Sequence, residues 1–251
     1  MQSCYESIGQ GPPLLLFNGL GFSRWSWSWQ WNSLPGLRLL AIENRGVGGS
    51  ALAPFELADL ADDGARLLDR LGLERAHIWG VSMGGMIAQE FALKHPDRCA
   101  GLILGCTMAG GPSATYMGTD TLEFMARLAR EGLTDASVRG AMRLNFSDSV
   151  DPGLVDRYVA LRMSHNPPLE TWTRQREATA RFDASSRLHA YRGPALLMHG
   201  GDDQVVPSAN LAVLQRLLPQ AQVHSFPHAR HLFWIEHAPE VNQLVRNFVL
   251  A

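Results

Sequence analysis

The residues with the clearest chemical capacity lie in Gly80-Val81-Ser82-Met83-Gly84, a G-x-S-x-G pattern. A serine hydroxyl is a weak nucleophile unless a base accepts its proton and the chain presents it at an accessible turn. The flanking sequence supplies such a turn. His77-Ile78-Trp79 reads as a strand and Met83 to Leu93 as an apolar helix, so Ser82 falls on the strand-to-helix junction that a nucleophile elbow requires. Glycines suit this junction because larger side chains would clash with neighbouring backbone. The start of the helix beneath the serine also favours negative charge developing there.

Nine histidines are candidates for the base. His199 ends a strand and His95 precedes Pro96 at a helix end, and both read as structural. His231 lies after the last strand and before the closing helix, where a loop brings it over the sheet edge, and His228, three residues earlier, is its rival. An acid must hold the histidine in one tautomer. Asp202 and Asp203 stand together directly after the strand ending Leu197-Met198-His199, and the residues alone leave the choice open. A tetrahedral intermediate needs two backbone N–H donors. One falls to Met83; the other falls to Leu20, in the turn Asn18-Gly19-Leu20-Gly21. No H-E-x-x-H, Cys/His cluster or carboxylate pair has the spacing of metal ligands, so neither a metal nor another cofactor is expected.

Short apolar runs that alternate with helical patterns must position these groups. Leu14 to Phe17, Leu37 to Ile42, Leu102 to Leu104, Ala195 to Met198 and Gln222 to Phe226 read as further strands. Leu57 to Leu71, Asn210 to Leu218 and Val241 to Val249 read as helices. The alternation predicts an α/β fold with a mostly parallel central sheet flanked by helices. Residues 112–192 break it. Phe124, Met125 and Leu128 form one helical stripe, Val155, Tyr158, Val159 and Arg162 another, and no strand is convincing. Gly110-Gly111-Pro112 and Arg192-Gly193-Pro194 bound the segment. The expected organisation is a core of residues 1–111 and 193–251 with a helical cap, 112–192, inserted into it. The alternating Trp25, Trp27, Trp29 and Trp31 read as a short helix or turn rather than a strand.

The composition excludes several other roles. With 251 residues, 46% hydrophobic and 18% charged, the chain suits one large globular domain. A formal net charge of -2 gives no attraction to nucleic acid or to an anionic membrane. The three cysteines, Cys4, Cys99 and Cys106, form no C-x-x-C pair and read as reduced, with Cys106 a buried structural thiol. No basic and apolar leader and no membrane-length apolar run is present, so the expected location is cytoplasmic.

Together these residues resemble the α/β-hydrolase superfamily with a helical cap, over nearly the whole chain. That family's H-G-x-G loop corresponds to Asn18-Gly19-Leu20-Gly21, its D-x-R-G-x-G-x-S turn to Glu43 through Ser50, and its G-x-S-M-G-G elbow to Gly80 through Gly85. Its G-x-x-D-x-x-V-P acid loop corresponds to Gly200 through Pro207, which selects Asp203 over Asp202. Its H-x-x-x-x-E block corresponds to His231 through Glu236, which selects His231 over His228. The order Ser82, Asp203, His231 is the family's order. Asn18 and Glu43 depart from the usual histidine and aspartate. Asn18, a tryptophan soon after it (Trp25 or Trp27) and the elbow are similar to the enol-lactonase branch, and the elbow is shared with methylesterases and cofactor-free haloperoxidases.

The resemblance implies a hydrolase of a small carboxylic ester or lactone, with Ser82 as nucleophile, His231 as base, Asp203 as acid and Leu20 and Met83 as oxyanion donors. A cofactor-free haloperoxidase or perhydrolase and a ligand receptor without turnover are the alternatives on the same scaffold. A haloalkane dehalogenase would need an aspartate where Ser82 stands. A carbon–carbon bond hydrolase would be expected to carry a glycine-rich, serine-bearing oxyanion loop. The residues do not fix the substrate or the oligomeric state.

Overall fold

Short runs of apolar residues bounded by turns become the strands of one sheet. The computed structural model describes residues 5–251, so Cys4 lies outside the described residues. The strands are β1 (Tyr5–Gly9), β2 (Pro13–Phe17), β3 (Arg38–Ile42), β4 (Ala76–Val81), β5 (Cys99–Gly105), β6 (Ala195–Gly200) and β7 (Gln222–Phe226). Among the described residues they join in the order β1-β3-β2-β4-β5-β6-β7. Every pairing is parallel except that of β1, which runs antiparallel to β3 with Tyr5 opposite Ile42. The sequence reading does not anticipate β1. Its residues, Tyr-Glu-Ser-Ile-Gly, form an edge strand with no fully buried position, and so carry no apolar run.

Alternate side chains of the inner strands feed two cores, one on each face. Leu15, Phe17, Leu40, Ile42 and Ile78 enter one; Leu14, Leu16, Leu39, Ala41, Trp79 and Val81 enter the other. The first core is covered by α1 (Leu57–Arg70), α2 (Met83–Lys94) and α8 (Ala209–Leu217), the second by α10 (Ala238–Leu250) after the short α9 (Phe233–Glu236). Every residue of α2 from Met83 to Ala92 is buried, including Gln89 and Glu90, which explains why that stretch carries no solvent-facing polar stripe. The tryptophan-rich stretch folds as two 3-10 turns, Arg24–Trp27 and Trp31–Ser33, rather than as a strand.

Between β5 and β6 the chain leaves the sheet. It forms α3 (Thr119–Glu131), α4 (Asp135–Gly140), α5 (Met142–Asn145), α6 (Pro152–Ser164) and α7 (Leu169–Arg181). The stripes expected to be helical lie on α3 and α6. The two ends of this helical segment meet at its base, through an isolated bridge between Gly110 and Asp183 and a hydrogen bond from Ala184 N to Ala109 O of 2.8 Å. No helix among the described residues is long and apolar enough to cross a membrane.

Packing leaves no spare room where β2, β4 and α2 converge. A Cβ on Gly84 would sit 2.0 Å from the Phe17 carbonyl oxygen, and backbone at a strand end has little room to yield. Gly84→Ala should therefore destabilise the fold by about 2–3 kcal/mol, lowering Tm by roughly 4–12 °C. A Cβ on Gly118 meets nothing within 4 Å, and Gly118→Ala should move Tm by about 2 °C or less. Differential scanning calorimetry of the two variants checks the contrast; equal shifts would contradict this account of the junction.

Candidate active site

Ser82 occupies the junction between β4 and α2. Its backbone is left-handed, with φ 54° and ψ -123°, a conformation costing about 1–3 kcal/mol for a residue bearing a side chain. Both sides of the residue are tied down. Its N–H donates to Gly105 O at 2.9 Å, and its carbonyl accepts the Thr107 hydroxyl at 2.7 Å. Met83 then opens the helix, so its N–H has no partner within α2.

The loop after β2 passes beside this turn. A Cβ on Gly19 would lie 3.5 Å from both the Ser82 Cβ and the Val81 carbonyl. Asn18 is fully buried and acts as a brace. Its Nδ2 donates to Ile42 O at 2.6 Å, its Oδ1 accepts from Ser26 at 3.2 Å, and its own carbonyl accepts Asn44 Nδ2 at 3.1 Å. The departure at Asn18 thus has a structural function: it joins the ends of β2 and β3 to the first tryptophan turn. Trp27 packs edge-on against Trp79 at 4.7 Å inside the core, and Trp25 packs behind the site against Phe22 and Tyr158. Glu43, the other departure, is buried. Burial raises its pKa against the opposing effect of Arg24, whose N–H donates to it at 3.2 Å.

The two acid–histidine options separate by environment. His231 Nδ1 lies 2.8 Å from Asp203 Oδ2, and both side chains are buried. Asp203 Oδ1 accepts the Val205 and Val206 N–H groups at 2.8 and 2.9 Å. Burial pushes the Asp203 carboxyl up, but the neighbouring His231 and His199 outweigh it and hold the pKa at about 2. An ionised carboxylate only accepts, so His231 Nδ1 carries a proton, and in the neutral ring Nε2 is then the acceptor. The rivals meet each other instead. His228 Nδ1 is 3.7 Å from Asp202, with side chains 90% and 57% exposed, an arrangement that water screens. His199 braces the acid loop, donating from Nε2 to Val206 O at 2.8 Å. His95 pairs with Asp62 at 2.9 Å, away from this site. Cys106 is fully buried, and burial raises its thiol well above the ordinary range.

Ser82, Met83, Leu20 and His231 line one cavity of about 180 Å³. Its remaining wall is mostly apolar and includes Phe22, Met86, Met108, Met125, Met142 and Trp172. Several residues that position this site are absent from the motif reading. Gln175 of α7, fully buried, accepts the Gly21 N–H at 2.7 Å. Arg162 of α6, also buried, donates to the Gly21 carbonyl and lies over the Phe22 and Trp172 rings, 4.9 and 5.2 Å from their centroids. Gly21 has φ +69°, and a Cβ there would strike Trp172 at 2.4 Å. The helical segment also holds the histidine loop, through Leu232 N to Asn145 O at 2.8 Å and Arg230 Nη1 to Arg143 O at 2.7 Å. Glu236 completes this seam by accepting the Ser147 N–H at 3.0 Å. Arg162 left a signal in the sequence, as a cation within an apolar helical stripe. Gln175 left none.

The chain matches the family profile described as alpha/beta hydrolase fold over residues 12–238. It is similar to the poly(3-hydroxyalkanoate) depolymerase of Ectopseudomonas oleovorans, 30% identical over 245 residues covering 94% of this chain and 84% of that protein. Among solved structures it is similar to a thermophilic esterase from Thermogutta terrifontis, with TM-score 0.84, 29% identity and coverage of 99% of this chain and 93% of that one. The enol-lactonase from Burkholderia xenovorans LB400 shares the fold, with TM-score 0.82, 23% identity and coverage of 99% and 96%.

The Asp203 carboxyl titrates at about 2 here against an ordinary value of 3.8. Its ionised form therefore stabilises the fold fully above the unfolded value, and this contribution is lost as pH falls through the folded value. The Tm gap between the wild type and Asp203→Asn should be full near about pH 6 and should narrow between about pH 4 and pH 2. Thermal melts of both proteins across that range check this; a gap independent of pH would contradict the electrostatic origin.

Proposed function

The chain belongs to the α/β-hydrolase fold family, and on that premise we propose that it cleaves carboxylic esters or lactones through a serine-bound acyl intermediate. One observation carries the reading. Ser82, at a strained strand-to-helix turn, shares an apolar cavity with a histidine whose far nitrogen is bonded to a buried carboxylate. An esterase and a polyester depolymerase among the similar proteins support it.

In this mechanism Ser82 Oγ attacks the substrate carbonyl carbon and passes its proton to His231 Nε2. Asp203 holds His231 through Nδ1 and stabilises the imidazolium. The carbonyl oxygen becomes an oxyanion that accepts the Leu20 and Met83 N–H groups, which find no acceptor among the described residues. Collapse of the tetrahedral adduct breaks the bond to the leaving oxygen, which takes the proton from His231. Water, deprotonated by His231, then releases the acid and restores Ser82. Residues 112–192 act as a cap over this chemistry, and residues 1–111 and 193–251 form the core that carries it. No step requires a metal or an organic cofactor.

An organophosphonate should label the protein once, and peptide mapping should find the adduct on Ser82. His231→Ala should abolish labelling, and His228→Ala should leave it close to the wild-type rate. Asp203→Asn should lower kcat by about 10³–10⁴-fold, because the histidine loses its tautomer control; Asp202→Asn should retain most activity. An adduct on another residue, or none where a control hydrolase reacts, would remove the serine mechanism. Labelling without turnover of any ester or lactone would favour a receptor.

A further inference from the structure

The helical segment contains a second cavity that shares a wall with the first. It has a volume of about 230 Å³ and lies between the end of α3 and the start of α7. Met125, Leu128, Leu133 and Trp172 line both cavities. Their partition is thus made of uncharged side chains, among them a methionine, whose three unbranched rotatable bonds let it shift easily. Beyond the partition the second cavity runs past Pro167 to Leu169, which is 58% exposed in the first turn of α7. The charged residues of its wall, Arg130 and Glu131, are exposed and opposite in sign. Only this partition of uncharged side chains therefore separates the Ser82 cavity from a second space that reaches the protein surface.

Volume argues for joint use of the two spaces. The first cavity, at about 180 Å³, is smaller than the ~300 Å³ at which small-molecule sites usually begin. Together the two exceed that size. The second contains none of the groups that act at the carbonyl, so its contribution is room for a part of the substrate that does not react.

We propose that the two cavities form one channel for the acyl chain of the substrate. The substrate class is an ester of an unbranched, uncharged aliphatic acid, its carbonyl at Ser82 and its chain passing Met125 and Trp172 towards Leu169. The proposal rests on the ester-hydrolase reading above. It assigns chain-length selectivity to residues remote from the reacting atoms, where binding an extended tail contributes without altering the chemistry.

The test is kcat/KM for p-nitrophenyl butyrate, octanoate and dodecanoate in the wild type, Leu169→Asp and Leu169→Trp. Aspartate places a charge on the chain's path, and it is well tolerated in a first helical turn; tryptophan narrows the same exit. In the wild type, kcat/KM should rise from butyrate to dodecanoate. Both variants should lose about tenfold on dodecanoate, the scale of one or two methylenes deprived of apolar burial, and stay within about twofold of wild type on butyrate. Two outcomes would overturn the channel: a dodecanoate-to-butyrate ratio unchanged in both variants, whether or not activity falls, or a wild type that cleaves butyrate alone. A wild type that cleaves no ester and leaves Ser82 unlabelled would remove the hydrolase reading itself, and the channel with it.

Discussion

Backbone meets backbone where the end of β2 touches the first turn of α2, and the contact leaves no room for a Cβ. The Phe17 carbonyl and Gly84 are close enough that a methyl group at Gly84 would overlap the oxygen. The approach is possible because β2 and β4 are neighbouring parallel strands, with Phe17 paired to Gly80, so their carboxyl ends and following loops emerge side by side. It has two consequences. Ser82 turns the chain from sheet to helix within a confined space, in a left-handed conformation, and the loop carrying Leu20 lies against the start of the helix carrying Met83. In the proposed mechanism the two backbone N–H groups, from distant parts of the chain, serve one oxyanion and are held by packing rather than by flexible side chains.

The helical segment supplies the rest of the order. Gly21, one residue beyond Leu20, has both polar backbone groups occupied by buried side chains of that segment, Gln175 on the N–H and Arg162 on the carbonyl. The loop bearing His231 is held by Asn145 and Arg143, and Ser147 bonds Glu236 just beyond it. Buried hydrogen bonds of this kind are costly to leave half made. Displacing the segment would therefore loosen the Leu20 loop and the His231 loop together. The same helices form both cavity walls, so the elements that shape the space for a substrate also hold the groups beside it.

Charge is arranged with similar economy. Two aspartates and two histidines lie within a few residues of one another, yet one pair is buried and closely bonded and the other is exposed and loose. Two backbone N–H groups and a second histidine surround Asp203, so an ionised carboxylate is held in a place where burial alone would favour its neutral form. Asp202, one residue away, faces solvent. A single step along the chain after β6 thus passes from an exposed aspartate to a buried one.

Local patterns made much of this legible. The short apolar runs mark β2 to β6, since strands buried on both faces carry apolar side chains throughout; in β7, at the other edge, only Phe226 is buried. Helical spacing marks the segment between β5 and β6. The strand, glycine and helix around Ser82 mark the elbow, because its geometry depends on the identities of adjacent residues. The edge strand β1 was not legible, since pairing on one side demands no apolar composition. Nor could residues alone choose between Asp202 and Asp203, or between His228 and His231; that choice depends on which pair the fold buries. The contacts of Gln175 and Arg162 with Gly21 span more than a hundred residues and follow no periodicity, so only folding brings them together. Sequence determined the elements and the candidate chemistry, because these arise from neighbours along the chain. Tertiary structure alone decided the partners, the burial and the shape of the cavity, because these arise from neighbours in space.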